Sequence, residues 1–183
     1  MIDWIIGKIC VKEPTRVVIE RGGIAFSINI SLFTYEALGS LGEEAKIFIH
    51  PVLSHEKLEL FGFKTPEERS FFCDLLLVQG IGPWSALRII SATDFLEFKR
   101  AVVDEDVEVI SSIKGISAKR ASKLIFELKE KYKKEELPPE SLEGSAIRAL
   151  VGLGISARKA REVVHKVKAE SLEDLIKEAL RKL

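Results

Sequence analysis

Hydrophobic periodicity changes once along the chain, at Thr65-Pro66-Glu67-Glu68, and this break constrains the fold more than any other feature. Before it, β-branched and aromatic residues recur in short runs: Ile5 to Lys12, Arg16 to Glu20, Ile24 to Ile30, Ala45 to Val52 and Leu58 to Phe63. Turn signals at Glu13-Pro14, Gly22-Gly23, Gly39 to Gly42 and Ser54 to Lys57 separate them. Five short strands in about 60 residues cannot form a flat sheet with two wet faces, so closure into a small OB-type barrel is expected over residues 1–63. At the break, Thr65 can cap a helix, Pro66 suits its first position, and Glu67 and Glu68 oppose the positive end of its dipole.

From Phe71 to Lys134 the apolar spacing is helical, interrupted at Val78 to Pro83, Ser91 to Asp94 and Ile113 to Ser117, which predicts four or five short helices in a second domain, 64–134. Residues 135–143, with Pro138-Pro139 among glutamates, read as a flexible linker. Beyond it, Ser145 to Gly152, Ala157 to Lys168 and Leu172 to Lys182 form three amphipathic helices, the last opened by Ser171 with Asp174 three residues on. A small three-helix interaction module over 144–183 is expected. The fold class is therefore multidomain, an all-β barrel followed by all-α domains.

The 28 Lys and Arg balance 28 Asp and Glu, which would argue against a polyanionic partner if charge were evenly spread. The barrel region holds 6 basic against 8 acidic residues. Lys114, Lys119, Arg120, Lys123, Lys129, Lys131, Lys133 and Lys134 face only Glu127 and Glu130 in their window, a surplus of six positive charges. No run approaches the roughly 18 apolar residues of a membrane span, and Met1-Ile2-Asp3-Trp4 lacks the basic start of a signal peptide, so a cytoplasmic protein is expected. Cys10 and Cys73 are read as buried reduced thiols. The three histidines, His50, His55 and His165, lack metal-ligand spacing, and no cofactor or metal site is expected in this chain.

One pattern occurs twice in the helical region, from Val78 and from Ile113: an apolar residue, a variable one, Gly, an apolar residue, then Gly or Ser leading into a helix. The first glycine can supply a positive φ, and the amides that follow belong to a helix N-terminus and lack intrahelical acceptors. Such a turn binds an anion, and two of them 35 residues apart could hold successive phosphates of a duplex without reading sequence. Lys119, Arg120 and Lys123 follow the second turn and would add counterion-releasing charge; Trp84 and Arg88 follow the first. A plain αα connection would show the same glycines in a single copy. Gly152-Leu153-Gly154-Ile155 is a third lookalike beyond the linker.

A phosphate loop of the G-x-x-x-x-G-K-[ST] type is absent, which excludes a P-loop ATPase in this chain. A hairpin-bearing base-excision enzyme would want an aspartate soon after its hairpin, and none occurs between Val107 and Glu173. A noncatalytic DNA-binding subunit is thus favoured over a small DNA-processing enzyme or a protein-only scaffold.

Order and motifs together resemble the RuvA family, the Holliday-junction-recognising subunits of bacterial branch-migration machinery, over nearly the whole chain. The most specific pieces are Leu60-Phe61-Gly62-Phe63, Gly80-Ile81-Gly82-Pro83 with Ala86-Leu87 and Ile90-Ser91, Gly115-Ile116 with Leu124-Ile125 and Glu127-Leu128-Lys129, and Ala149-Leu150 with Leu153-Gly154. The resemblance implies an OB barrel, two helix-hairpin-helix motifs, and a mobile C-terminal three-helix (UBA-like) domain. It implies a homotetramer, two of which can sandwich a junction as an octamer. The implied partners are Holliday-junction DNA, the RuvB ATPase, which uses ATP and Mg²⁺ and does the motor work of the helicase complex, and the RuvC resolvase. The implied processes are recombination, repair and the SOS response to DNA damage.

Carried over residue by residue, Gly80, Gly82, Gly115 and Ser117 would supply amides to phosphate, and Lys119, Arg120 and Lys123 charge. Trp84 stands where the family usually has lysine, Ser117 replaces a glycine, and Ala118 replaces a common basic residue. The loop Ser54-His55-Glu56-Lys57 stands where the family carries an acidic pin that keeps crossing strands apart; only Glu56 retains the charge, beside His55, so a weaker pin is expected. In the last domain Leu150, Leu153, Ile155, Val163, Val164 and Leu180 are candidates for the motor-binding cleft, although so small a domain needs most of them as core. The acidic run Asp104-Glu105-Asp106-x-Glu108 reads as a solvated face.

Overall fold

A computed structural model describes residues 2–54, 57–135, 141–155, 157–167, 169 and 171–182 of the chain. It divides into two compact units, Met1–Ser91 and Ala92–Leu183. The division falls inside the stretch expected to form the hairpin domain, so the first hairpin belongs with the barrel and the second with the C-terminal helices.

In the first unit, β1 (Trp4–Glu13), β2 (Arg16–Arg21), β3 (Ile24–Ile30), β4 (Glu44–Leu53) and β5 (Leu58–Phe63) close a barrel in the order β1-β2-β3-β5-β4. All pairings are antiparallel except β3 with β5, which aligns Ile28 with Leu60 and Ile30 with Gly62. The period of two puts Ile5, Ile9, Val17, Ile19, Ile28, Ile30, Ile47, Ile49 and Leu60 inside. Gly62 also faces inward: a Cβ there would stand 2.7 Å from Ile47 Cγ2, so the closing strand admits no side chain at that point. Every predicted strand is present, within two residues at each end.

A short helix not expected from the sequence, α1 (Leu32–Ala37), follows β3, capped by Ser31, whose hydroxyl accepts from Thr34 N–H at 3.0 Å. Its residues Phe33, Thr34 and Tyr35 favour strands, and the cap decides against that preference. Next comes α2 (Pro66–Leu77), with Thr65 as cap accepting from Glu68 N–H at 3.1 Å and Pro66 at the first position, as predicted. Glu68 returns to α1: its carboxylate accepts from Ser31 Oγ, from Thr34 Oγ1 at 2.7 Å and from Lys64 N–H at 3.0 Å. Ser31 and Thr34 are fully buried, so these bonds satisfy hydroxyls that water cannot reach. The outward residues of β5, Phe61 and Phe63, pack on Phe72 of α2 at ring separations of 5.2 and 4.9 Å. The barrel is thereby joined to α2 through an apolar aromatic layer and a polar network. α3 (Pro83–Ala92) completes the unit.

The second unit comprises α4 (Phe95–Val103), α5 (Val107–Ser111), α6 (Ala118–Lys133), α7 (Leu142–Gly152), α8 (Ala157–Val164) and α9 (Leu172–Arg181). Phe98, Val102, Ile110, Leu124, Ile125, Leu128 and Tyr132 are buried. Lys99, also buried, ion-pairs with Glu135 and lies over the rings of Phe95 and Tyr132 at 4.2 and 4.8 Å. Helix α7 starts inside the stretch expected to be linker, because Ser141 caps it by accepting from Gly144 N–H at 3.0 Å. α8 ends at Val164, short of the expected Lys168. α9 opens at Ser171, whose hydroxyl accepts from Asp174 N–H at 3.2 Å, as the sequence predicts. Among the described residues no helix is long and apolar enough to cross a membrane. Both cysteines are free thiols, but Cys10 is exposed on β1 and Cys73 is half-buried, which corrects the expectation that they are buried. Cys10 falls on the outward side of the β1 alternation, and Cys73 lies on α2 with its sulfur 3.4 Å from His50 Nδ1.

Candidate nucleic-acid interface

The two predicted turns have one geometry. Gly80 has φ 92° and Gly115 φ 94°, a region that L side chains rarely adopt. Behind each glycine, Ile81 N–H donates to Val78 O at 3.0 Å and Ile116 N–H to Ile113 O, also at 3.0 Å. The apolar residues on either side, Val78 with Ile81 and Ile113 with Ile116, are buried and anchor the turns. Ahead of the glycines, the first helical bonds run from Ala86 N–H to Gly82 O at 2.9 Å and from Ala121 N–H to Ser117 O at 2.8 Å. Amides preceding those bonds, at Gly82, Trp84 and Ser85 and at Ser117, Ala118 and Lys119, are the donors a helix leaves without an intrahelical acceptor. A Cβ at Gly80, Gly82 or Gly115 would meet nothing within 4 Å, so the three glycines border open space from which an extended phosphate backbone can approach.

Ser117 does not distort the second turn. It takes the cap position of α6, its hydroxyl accepting from Arg120 N–H at 3.4 Å, so a polar cap stands where the first turn has a bare glycine. Arg120 folds back, its guanidinium donating to Gly115 O at 3.2 Å, and thus braces the turn. Lys114 and Lys119 are exposed, and among the described residues neither has an ion-pair partner. Lys123 lies one turn on, 3.8 Å from Glu127.

Trp84 has a structural part in the first turn. Its indole packs edge-on against Phe61 with centroids 5.5 Å apart, yet 48% of the residue stays exposed. The turn is therefore propped on the aromatic layer of the barrel, with half of an aromatic surface left to solvent beside Gly82. Arg88, one turn on, is exposed and donates to Ser85 Oγ at 3.3 Å.

The basic window of the sequence divides in space. Lys114, Lys119, Arg120 and Lys123 surround the turn, whereas Lys131 and Lys133 lie in the last turn of α6, roughly 20 Å away at 1.5 Å per residue, where they suit the negative end of the dipole. Lys129 is paired with Glu105, which pulls that carboxyl below its ordinary value by hydrogen bonding and charge. The acidic run does structural work that its composition conceals: Asp106 caps α5, accepting from Val109 N–H at 3.0 Å, and Asp104 pairs with Arg148 at 2.9 Å.

The central-pin candidates His55 and Glu56 lie outside the described residues. On either side of them, Ser54 N–H donates to Lys57 O at 2.9 Å, and Lys57 pairs with Glu59 at 2.9 Å. Leu53 and Leu58, cross-strand partners at the ends of β4 and β5, are 81% and 56% exposed, an apolar pair that the sequence does not single out. In the C-terminal domain Leu150, Val163 and Val164 are buried with Ala146, Ile147 and Leu175, so these three motor-binding candidates are core residues. Leu153 is 65% exposed, Ile155 is half-buried against that core, and Leu180 is exposed. The third lookalike is a helix end: Gly154 has φ 86°, its N–H donates to Val151 O at 2.9 Å, and Ile155 N–H to Leu150 O at 3.1 Å. Those two amides are consumed by the preceding helix. Among the described residues no group of three or more His, Cys, Asp or Glu could hold a metal.

Comparison with known proteins covers the chain in three consecutive pieces. The RuvA N-terminal domain matches residues 1–62, a SAM-like helix-hairpin-helix tandem matches 72–130, and the RuvA C-terminal domain matches 141–183. The Holliday junction branch migration complex subunit RuvA of Cytophaga hutchinsonii is 37% identical, with 99% of each chain aligned. Its counterpart in Caldanaerobacter subterraneus is 36% identical over 100% of this chain and 99% of its own. That of Acetivibrio thermocellus is 33% identical over 100% of this chain and 98% of its own. Barrel, paired hairpins and three-helix domain thus follow one another as in these relatives over essentially their full length, and the chain belongs to the RuvA family.

Proposed function

We propose that this chain is a noncatalytic, cytoplasmic subunit that binds four-way junction DNA as a homotetramer and recruits the RuvB ATPase, a user of ATP and Mg²⁺, for branch migration in recombination and repair. The observation that carries the reading is the repeated turn: two glycines at φ 92° and 94°, each followed by a helix N-terminus open to solvent. Each turn offers amides to one phosphate cluster, and the positive helix end adds to the attraction. Phosphate contacts of this kind fix position without reading bases, which suits a protein that must stay bound while sequence moves past it. Gly80 and Gly82, with Trp84 as a packed support, serve the first contact; Gly115, Ser117, Lys119 and Lys123 the second, with Arg120 bracing the turn. Leu153 and Ile155 are the motor-facing residues of a domain spanning 144–183, as the barrel spans 1–63 and the hairpins 64–134.

A salt titration comparing a synthetic four-way junction with linear duplex of equal length tests this. Junction preference is expected, and Lys119→Ala with Lys123→Ala should reduce the slope of log K against log salt by roughly 2, since each phosphate neutralised contributes about 0.9. Equal affinity for both DNAs, or an unchanged slope, overturns the assignment. Cleavage of the junction by the protein alone with Mg²⁺ would replace it with the enzyme reading.

A further inference from the structure

Arg161 of α8 reaches out of the three-helix domain onto α4. Its guanidinium donates to Ala92 O at 2.8 Å, Thr93 Oγ1 at 3.3 Å and Glu97 Oε2 at 2.5 Å, with the two charged side chains 19% and 20% exposed. Seven residues along, Asp104 at the end of α4 accepts from Arg148 of α7 at 2.9 Å. A seven-residue spacing is two helical turns, so Glu97 and Asp104 share one face of α4. Between the two pairs, Ala101 and Val109 meet Val151 of α7 in a narrow cleft. One side of this contact supplies carboxylates and the other arginines.

We propose that this acidic face of α4 is a docking surface for the chain's own C-terminal domain, fastened at two points by Arg161 and Arg148 and opened when those charges are screened or removed. The contact has the character of a reversible one. Its apolar part is small, one pair is 40% and 50% exposed, and Arg161 Nε is buried with no hydrogen-bond partner, a cost that offsets part of what the guanidinium gains. Docking uses Arg148, Val151 and Arg161, whereas Leu153 stays exposed, so the domain keeps an apolar surface for another partner while fastened.

The test uses the full chain without DNA or motor, so its outcome is independent of the functional assignment. Small-angle scattering at fixed protein concentration, with forward scattering reporting assembly mass, measures radius of gyration for the native chain at 50 and 500 mM salt. The same measurement is made on Glu97→Arg, Arg161→Glu and the double exchange. Each single reversal should shift the open-to-docked ratio roughly tenfold or more and enlarge the particle, with high salt acting in the same direction, and the double exchange should restore the native radius. Singles that scatter like the native chain, or a double exchange no more compact than either single, overturn the proposal. Should a reversal prevent folding, Arg148→Ser reads the same equilibrium through the exposed pair. A rise of about threefold in the open ratio is expected, and no rise refutes it.

Discussion

Gly115 offers the sharpest check on the turn geometry. At φ 94° it lies well beyond the left-handed helical region near 57° that asparagine or aspartate tolerates, so an L residue there carries backbone strain of about 1–3 kcal/mol. No steric term is added, because a Cβ at this site meets nothing within 4 Å. Alanine also restricts the unfolded chain, returning about 0.4–1 kcal/mol. The expected net loss for Gly115→Ala is therefore about 1–2 kcal/mol, a fall of roughly 2–8 °C in Tm for a chain of 183 residues. Gly82→Ala supplies the internal control. Its added methyl also meets open space, and Gly82 has no positive φ, so only the unfolded-state gain remains and Tm should hold or rise slightly. Thermal unfolding followed by circular dichroism at one protein concentration compares the two. If Gly115→Ala and Gly82→Ala unfold within 1 °C of each other, the positive φ is not what the glycine provides, and the turn needs no glycine to hold its shape.

Three other substitutions test how the first unit is built. Glu68→Ala removes the acceptor of the buried Ser31 and Thr34 hydroxyls, while the Lys64 amide keeps Thr34 Oγ1 at 2.9 Å, and should cost about 2–3 kcal/mol by denaturant titration, with Glu68→Gln recovering part of it. Gly62→Ala forces a methyl against Ile47 and Ile28 inside the barrel and should cost about 1–3 kcal/mol through overpacking, read the same way. His50, held below its ordinary 6.5 by burial and then by the Arg69 charge, resists protonation when folded. The unfolded chain therefore binds the extra proton as pH falls through 6.5, so His50 contributes a loss of stability below that pH. In His50→Phe the difference in unfolding free energy between pH 7.5 and 5.5 should shrink, and an unchanged difference would assign the acid sensitivity to other groups.

What the sequence disclosed and what it withheld divide along physical lines. The strands and their turns were legible because an inward Ile, Val or Leu at every second position is a local pattern that the closed barrel obeys. Both hairpin turns were legible because a positive φ demands glycine, and that demand stays visible whatever surrounds it. α1 was hidden because Phe33, Thr34 and Tyr35 prefer strands, and the decisive contacts, from Ser31 and Thr34 to Glu68, span more than 30 residues. Trp84 could be recognised only as a departure from a lysine; its seat on Phe61, 23 residues upstream, is a tertiary fact. For the C-terminal candidates, helical period alone could not separate Leu150, in the core, from Leu153, three residues on and exposed.

The zero net charge, which seemed to argue against a polyanionic partner, is resolved by where the acids go. Glu97 is held by Arg161, Asp104 by Arg148 and Glu105 by Lys129, so this acidic side chain group is matched within its own unit at short range. A carboxylate beside an arginine projects little field past a Debye length of about 8 Å at physiological salt. Lys114 and Lys119 at the second turn have no such partner among the described residues, and their field adds to that of the α6 N-terminus. Replacing Glu97 or Asp104 frees an arginine rather than a hairpin lysine, so such variants should alter compactness while leaving unchanged the DNA-binding salt slope expected under the proposed function.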